Sequence, residues 1–266
     1  MLKGFFCQVR RLCSVMFFLF MLVLQCYPLS LFGNRAFAGN IGKKQGLNLA
    51  LGYVSLSGNA KSETGSFKVD YQFLFKKIYF ECRAYYIFTD ITDVKTGKTN
   101  RTNEKYYITL KSNYKKGKKS GIFTNLTWYK NRPSGINKNL SIAGGYSRIL
   151  IDNDRKKSKF GLGVEGYKEE KIINFNLKSN SSIAAYFEFS YAYAFNKSNR
   201  LKFENETRIN VSNTTDYRLS NNFSYSSALN EKMAIEINYI HQYKNFPVPG
   251  KKKTDTTTTI NLVFRF

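Results

Sequence analysis

The sequence predicts an all-β fold, an antiparallel up-and-down transmembrane β-barrel of about twelve strands behind an N-terminal signal peptide. Three observations carry it. Apolar and polar residues alternate along segment after segment, the segments are long, and short and long connections take turns along the chain. Alternation with period two marks a strand with one apolar face. A tilted strand needs about ten residues to cross a hydrocarbon core, and these segments reach that length. Short turns on one side with longer loops on the other are the outer-membrane pattern, and an even strand number returns both termini to one side.

At the amino terminus, Lys3, Arg10 and Arg11 precede an apolar run from Val15 to Phe32, and Ala36-Phe37-Ala38 leads to Gly39. A basic start, an apolar middle and small residues at alternate positions mark a cleaved secretory signal. Residues 1–38 are therefore read as signal peptide and residues 39–266 as one outer-membrane β-barrel domain. A retained transmembrane helix is the competing reading, but Gln25 and Pro28 interrupt the run. Cys26 fits a lipoprotein site poorly because Gln25 stands where a small residue is expected. With Cys7, Cys13 and Cys26 in the signal, Cys82 is the one cysteine left, so no intramolecular disulfide can form. One Cys and one His, His241, cannot make a zinc cluster, and no cofactor is expected.

Hydrophobic residues make up 42% of the chain and the mean hydropathy is −0.39, values that resemble those of a soluble protein. A barrel has the same average, because only every second residue faces lipid. The formal charge of +24 attracts polyanions. Export points away from nucleic acid and toward outer-membrane lipids, above all lipopolysaccharide phosphates. The abundance of Lys and Asn throughout offers a purely compositional account of the same charge.

Taken in order, the first segment places Leu47, Leu49, Leu51 and Tyr53 on one face and turns through Ser57-Gly58-Asn59. In the second, Phe67, Val69, Tyr71, Phe73 and Phe75 alternate with Lys68, Asp70 and Gln72, and Lys76-Lys77 leaves room for only a tight turn. Phe80, Cys82, Ala84, Tyr86 and Phe88 then alternate with Glu81, Arg83 and Tyr85, before a polar loop from Asp90 to Asn103. Tyr106, Ile108 and Leu110 oppose Tyr107, Thr109 and Lys111; Ile122, Thr124, Leu126 and Trp128 return. Asn131 to Asn139 is read as a loop on its Pro133 and Gly135.

Leu140, Ile142, Gly144 and Tyr146 make the sixth segment, and Asp152-Asn153-Asp154-Arg155 turns into Phe160, Leu162, Val164 and Gly166. Lys168 to Ser181 reads as a long loop with Ile172, Ile173 and Phe175 as an apolar flap. From Ile183 to Phe195 the apolar face includes Phe187, Phe189, Tyr191 and Tyr193, opposite Tyr186 and Glu188. Three more segments follow, built on Leu201 to Val211, Tyr217 to Tyr225 and Met233 to Tyr239. The last, Thr254 to Phe266, sets Ile260, Leu262, Phe264 and Phe266 against Asn261, Val263 and Arg265.

A soluble β-sandwich could use the same alternation and the same aromatic residues; segment length and the order of connections favour the barrel. Inward parity then falls to Lys68, Asp70, Glu81, Arg83, Lys111, Glu188, Glu204, Glu206, Arg208, Arg218 and Glu236, with Glu165 and Lys202, as candidate lumen-lining residues. Lys251, Lys252 and Lys253 are candidates for contact with anionic lipid. The final strand is expected to pair with the first and remove the sheet edges. Phe264 and Phe266 are candidates for the signal read by the barrel assembly machinery.

Several stretches resemble the salt-induced outer membrane protein family, domain of unknown function 481. They are Leu51-Gly52-Tyr53 with Ser57-Gly58-Asn59, Gly145-Tyr146-Ser147-Arg148, Thr215-Asp216-Tyr217-Arg218-Leu219 and Tyr243-Lys244-Asn245. Pro247-Val248-Pro249-Gly250, Lys253-Thr254-Asp255 and Val263-Phe264-Arg265-Phe266 complete the set. The resemblance implies an outer-membrane β-barrel and brings no established reaction with it. The long stretch Lys168–Ser181 and the heavy Lys and Asn content depart from the pattern.

The residues offer little catalytic chemistry. A lipid hydrolase needs a His working with Ser or an acid, and His241 shares the outward parity of Tyr239 while Ser220 and Ser224 face the other way. Glu204 and Glu206 share a face, but Lys202 and Arg208 flank them as in a charge ladder. Asp152-Asn153-Asp154 lacks the downstream spacing of a calcium loop. The expected function is a non-catalytic outer-membrane barrel of the salt- or stress-induced type, structural or a narrow pore. A polyanion-binding or adhesion barrel using Lys-rich outer loops is the alternative, and a barrel lipid hydrolase the third. The sequence leaves the oligomeric state open.

Overall fold

The structure is a computed structural model that describes residues 45–56, 61–93, 96–173 and 176–266. The signal-peptide reading of residues 1–38, the Ser57-Gly58-Asn59 turn and Phe175 lie outside the described residues. Twelve strands form it: β1 (Gln45–Leu56), β2 (Lys61–Phe75), β3 (Ile78–Thr92), β4 (Thr99–Lys115), β5 (Ser120–Asn131) and β6 (Ile136–Asp152), then β7 (Lys156–Ile173), β8 (Asn176–Ala194), β9 (Asn199–Asn210), β10 (Tyr217–Ala228), β11 (Met233–Lys244) and β12 (Thr254–Arg265). Each pairs antiparallel with its sequence neighbours, and β12 pairs with β1 to close the barrel. Closure satisfies the edge groups that an open sheet would leave exposed to lipid.

The closing seam aligns Leu49 with Phe264 and Leu51 with Leu262. Beyond it, the Phe266 N–H donates to the Leu47 carbonyl at 2.9 Å. No helix among the described residues is long and apolar enough to cross a membrane.

The two faces divide as the alternation requires. Outward positions are apolar and bare: Ile142 is 62% and Val164 58% exposed, and Leu51, Leu162, Ile183, Phe223 and Ile260 join them. Water would make so much exposed apolar surface costly, at roughly 25 cal/mol per Å²; hydrocarbon removes that cost. Inward positions are mostly polar and buried, among them Thr109, Asn125, Thr127, Ser141, Glu165 and Asn238. Two small apolar clusters sit inside this polar wall, Ala50 with Ala234 and Val263, and Phe123 with Ala143 and Tyr186. Gly161 makes room for the second: a Cβ there would lie 3.0 Å from Phe123 Cε1.

The short connections, residues 76–77, 116–119, 153–155, 195–198 and 229–232, lie at the end of the barrel that holds Phe266. Lys76 takes a left-handed φ of 53° in the tightest of them, a conformation that costs a side-chain-bearing residue about 1 kcal/mol. At the other end the connections are shorter than the sequence suggests. Strands β7 and β8 pair without interruption from Lys168 with Ser181 to Ile173 with Asn176, so the expected loop and flap are a hairpin stem. Likewise β3 and β4 continue through a bulge at Thr89/Asp90, and β6 starts at Ile136. Polar side chains on both faces let these strands rise beyond the bilayer, where alternation of polarity no longer marks a strand.

Candidate functional site

The lumen is the candidate site, and strand parity builds it. Lys68 and Asp70 of β2, Glu81 and Arg83 of β3, Lys111 of β4 and Glu188 of β8 point inward with Glu204, Glu206 and Arg208 of β9 and Glu236 of β11. The structure joins these ten into two ion-pair clusters at mid-height, one around Arg83 and Lys68 and the other around Lys111 and Arg208. Arg83 donates from both terminal nitrogens to Glu204, at 2.9 and 3.2 Å. Its Nε reaches Glu81, and Asp70 stands 3.9 Å away. Around the barrel β3 and β9 are six strands apart, so this bidentate pair joins opposite walls.

The remaining pairs follow the same logic. Lys111 Nζ donates to Glu206 at 3.0 Å and to Glu188 at 3.3 Å, again across the lumen. Lys68 bridges Asp70 at 3.1 Å and Glu236 at 3.2 Å. Arg208 pairs with Glu165 at 2.7 Å and Glu206 at 3.1 Å. Lys202 and Lys159 add contacts to Glu204 and Glu188. Charges removed from water are tolerable only when paired and hydrogen-bonded, and bidentate Arg–carboxylate geometry is the strongest form of such pairing.

The eleventh lumen candidate, Arg218, belongs to a second tier nearer the far end. There Glu169, 0% exposed, accepts from Arg218 at 2.5 Å and Lys244 at 2.7 Å, with Lys171 at 3.5 Å. Tyr129 and Asn139 also donate to it. One carboxylate thus ties β5, β6, β7, β10 and β11 together. Sequence reasoning missed Glu169 by placing it in a loop; carrying the inward parity of Glu165 and Tyr167 two residues further finds it.

The far mouth is crossed by packing. Between β11 and β12, residues 245–253 carry Val248 to the opposite hairpin, β5–β6, where it is 2% exposed and sits against Gly135. Gly135 has φ 73°, and a Cβ there would meet Val248 Cγ1 at 3.1 Å. Ser134 donates to Asp255, and Asn131 Nδ2 donates to Gln242 at 3.4 Å. Neither Val248 nor Gly135 stood out in the sequence as part of a site.

The other candidates lie away from the lumen. Lys251, Lys252 and Lys253 are exposed at the far end, with Lys253 Nζ donating to Asn245 at 2.9 Å. Phe264 faces outward beside Leu49 and Met233, and Phe266 is exposed at the seam. His241 is on the outer wall, where Asn221 Nδ2 lies 3.4 Å from its Nδ1. The paired lumen carboxylates have cations in hydrogen-bonding contact, which suits bracing and disfavours proton transfer.

The profile of a family described as a protein of unknown function, DUF481, matches residues 49–266. No curated protein matches the chain. Among solved structures, the translocator domain of the autotransporter NalP from Neisseria meningitidis is similar at 8% identity and a TM-score of 0.50, covering 86% of this chain and 90% of that one. The NanC porin has 8% identity and a TM-score of 0.49, covering 82% and 98%. The COG4313 outer membrane channel from Pseudomonas putida F1 has 10% identity and a TM-score of 0.45, covering 89% and 100%. At such identities the likeness concerns the fold.

Proposed function

The chain belongs to the DUF481 family of unknown function, and from that premise we propose that it is an integral outer-membrane β-barrel, non-catalytic, whose braced lumen makes it a structural element or a narrow pore of the envelope. The observation that carries this reading is the Arg83–Glu204 pair joining opposite walls. A twelve-stranded barrel encloses little space once side chains fill it, and cross-lumen ion pairs divide what remains. The bare apolar exterior supports a membrane location, and the barrel fold supports the outer membrane. Export through a signal peptide cleaved after Ala38, and the salt-induced character implied by the resemblance, belong to the same proposal.

Planar-bilayer recording of the refolded barrel tests it. Wild-type protein is expected to show small or no discrete conductance, and the Arg83→Ala/Glu204→Ala double variant a larger one. A large wild-type conductance that the double variant leaves unchanged would overturn the proposal. Phe266, exposed at the closing seam, is proposed with Phe264 as the signal for the assembly machinery. Deleting Phe266 should lower membrane insertion in cells, and normal insertion removes that role.

A second reading rests on Lys251, Lys252 and Lys253, three exposed cations beside one another at the far end. In it, the loop grips lipopolysaccharide phosphates. Binding to lipopolysaccharide vesicles should fall as salt rises, since exposed charges are screened; salt-insensitive binding counts against it.

A further inference from the structure

The outer face of β9–β12 differs from that of β4–β7. On β9 to β11 the outward positions include Leu201, Phe203, Leu219, Phe223, Ile235, Ile237 and Tyr239, and on β12 they run from Thr254 to Phe264 without a charged residue. On β4 to β7 the outer face carries Glu104, Lys130, Arg148 and Lys168. Across this uncharged face runs a hydrogen-bonded polar row. Thr207 Oγ1 donates to Asn205 Oδ1 at 3.1 Å, and Asn205 Nδ2 to Asn221 Oδ1 at 2.8 Å. Asn221 Nδ2 lies 3.4 Å from His241 Nδ1, and Thr256 is aligned with His241 on β12. Directly alongside runs an aromatic row, in which Phe189 and Phe203, Phe203 and Phe223, and Phe223 and Tyr239 are 6.2, 4.6 and 6.4 Å apart.

The polar row lies below the outward Tyr217–Tyr243 pair near the far end of β10 and β11, with outward Leu219 and Phe223 on either side of Asn221. Each Asn carboxamide has two N–H donors, and the row engages one of them. Hydrocarbon offers the remaining donors nothing, and polar side chains at membrane depth act as glue between protein surfaces. We infer that the β9–β12 face is the interface with a second copy of this chain. Two copies inserted in the same direction relate by a two-fold axis parallel to the membrane normal, so a residue near that axis meets its own copy at equal depth. Carboxamides suit such self-pairing because each both donates and accepts, whereas charged residues would repel; this face carries the first and lacks the second. The inference rests on the membrane location proposed above and is independent of whether the lumen conducts.

Heat-modifiable gel mobility establishes first that each variant forms a barrel. In a Cys82→Ser background, Asn221→Cys should crosslink to a dimer on mild oxidation in outer-membrane vesicles, and Leu126→Cys on the far wall, outward on β5, should not. Native mass spectrometry from nanodiscs should give a dimer for wild type and a monomer for Asn221→Leu/His241→Leu. Wild-type protein that is monomeric, or monomeric with bound lipid, overturns the inference. So does a dimer that crosslinks through Leu126→Cys instead of Asn221→Cys, or one that persists unchanged in the double leucine variant. Failure to fractionate with the outer membrane would instead sink the membrane reading.

Discussion

The lumen is spanned twice, by opposite physics. At mid-height Arg83 and Lys111 reach carboxylates across the lumen, so the brace is electrostatic. At the far mouth Val248 packs on Gly135 from the facing hairpin, with neutral hydrogen-bond donors beside it. The first spans strands that are six apart, β3 and β9; the second joins the β5–β6 hairpin to the β11–β12 loop, on another diameter of the same barrel. A charge brace is strong while every partner is present and costly once one is lost. A packing brace loses stability in proportion to the area removed. The two should therefore fail differently.

The largest effect is expected at mid-height. Glu204→Arg places two cations where a bidentate pair stood, and leaving buried charge uncompensated costs on the order of 3–5 kcal/mol. Urea unfolding followed by loss of heat-modifiable mobility should show it, and Arg83→Glu/Glu204→Arg should recover much of the loss. A reversal that costs nothing would show that the pair does not brace the barrel.

Next comes Val248→Gly, which removes a buried side chain with a transfer free energy of about 1.5–3 kcal/mol. Its expected signature is local: faster trypsin cleavage at Lys251, Lys252 and Lys253, with the barrel's own mobility unchanged. Equal cleavage of wild type and variant would break the mouth half of the comparison.

Gly135→Ala is smaller. The left-handed backbone at φ 73° makes it unfavourable by roughly 1–2 kcal/mol, and crowding against Val248 loosens the same loop. Trypsin sensitivity between wild type and Val248→Gly is the expected result. Raising salt should act least. Screening shortens the Debye length from about 10 Å at 0.1 M to about 3 Å at 1 M, which should slightly lower the unfolding midpoint of wild type. A Val248→Gly barrel should show the same shift, because Val248 contributes packing against Gly135 and no ion pair. Salt that loosens the mouth more than the middle would reverse the assignment.

The sequence and the structure agree most where alternation is strongest. The strand count, the parity of Lys68 through Glu236 and the outward place of His241 follow from period two alone. Agreement fails at the loop ends: from Lys168 to Ser181 polar residues occupy both faces, so period two disappears while the hydrogen-bonded ladder continues. Glu169 was lost with that stretch. Val248 reads as one apolar residue between two prolines, and nothing local says that it crosses the mouth.

By itself the sequence determined which side chains face inward, because pleating fixes side-chain direction residue by residue. Only the tertiary structure decided which of them meet. Arg83 and Glu204 are 121 residues apart, and they touch because β12 closes on β1 and brings β3 opposite β9. Pairing across a lumen depends on closure, strand number and stagger, which belong to the whole barrel and to no single segment.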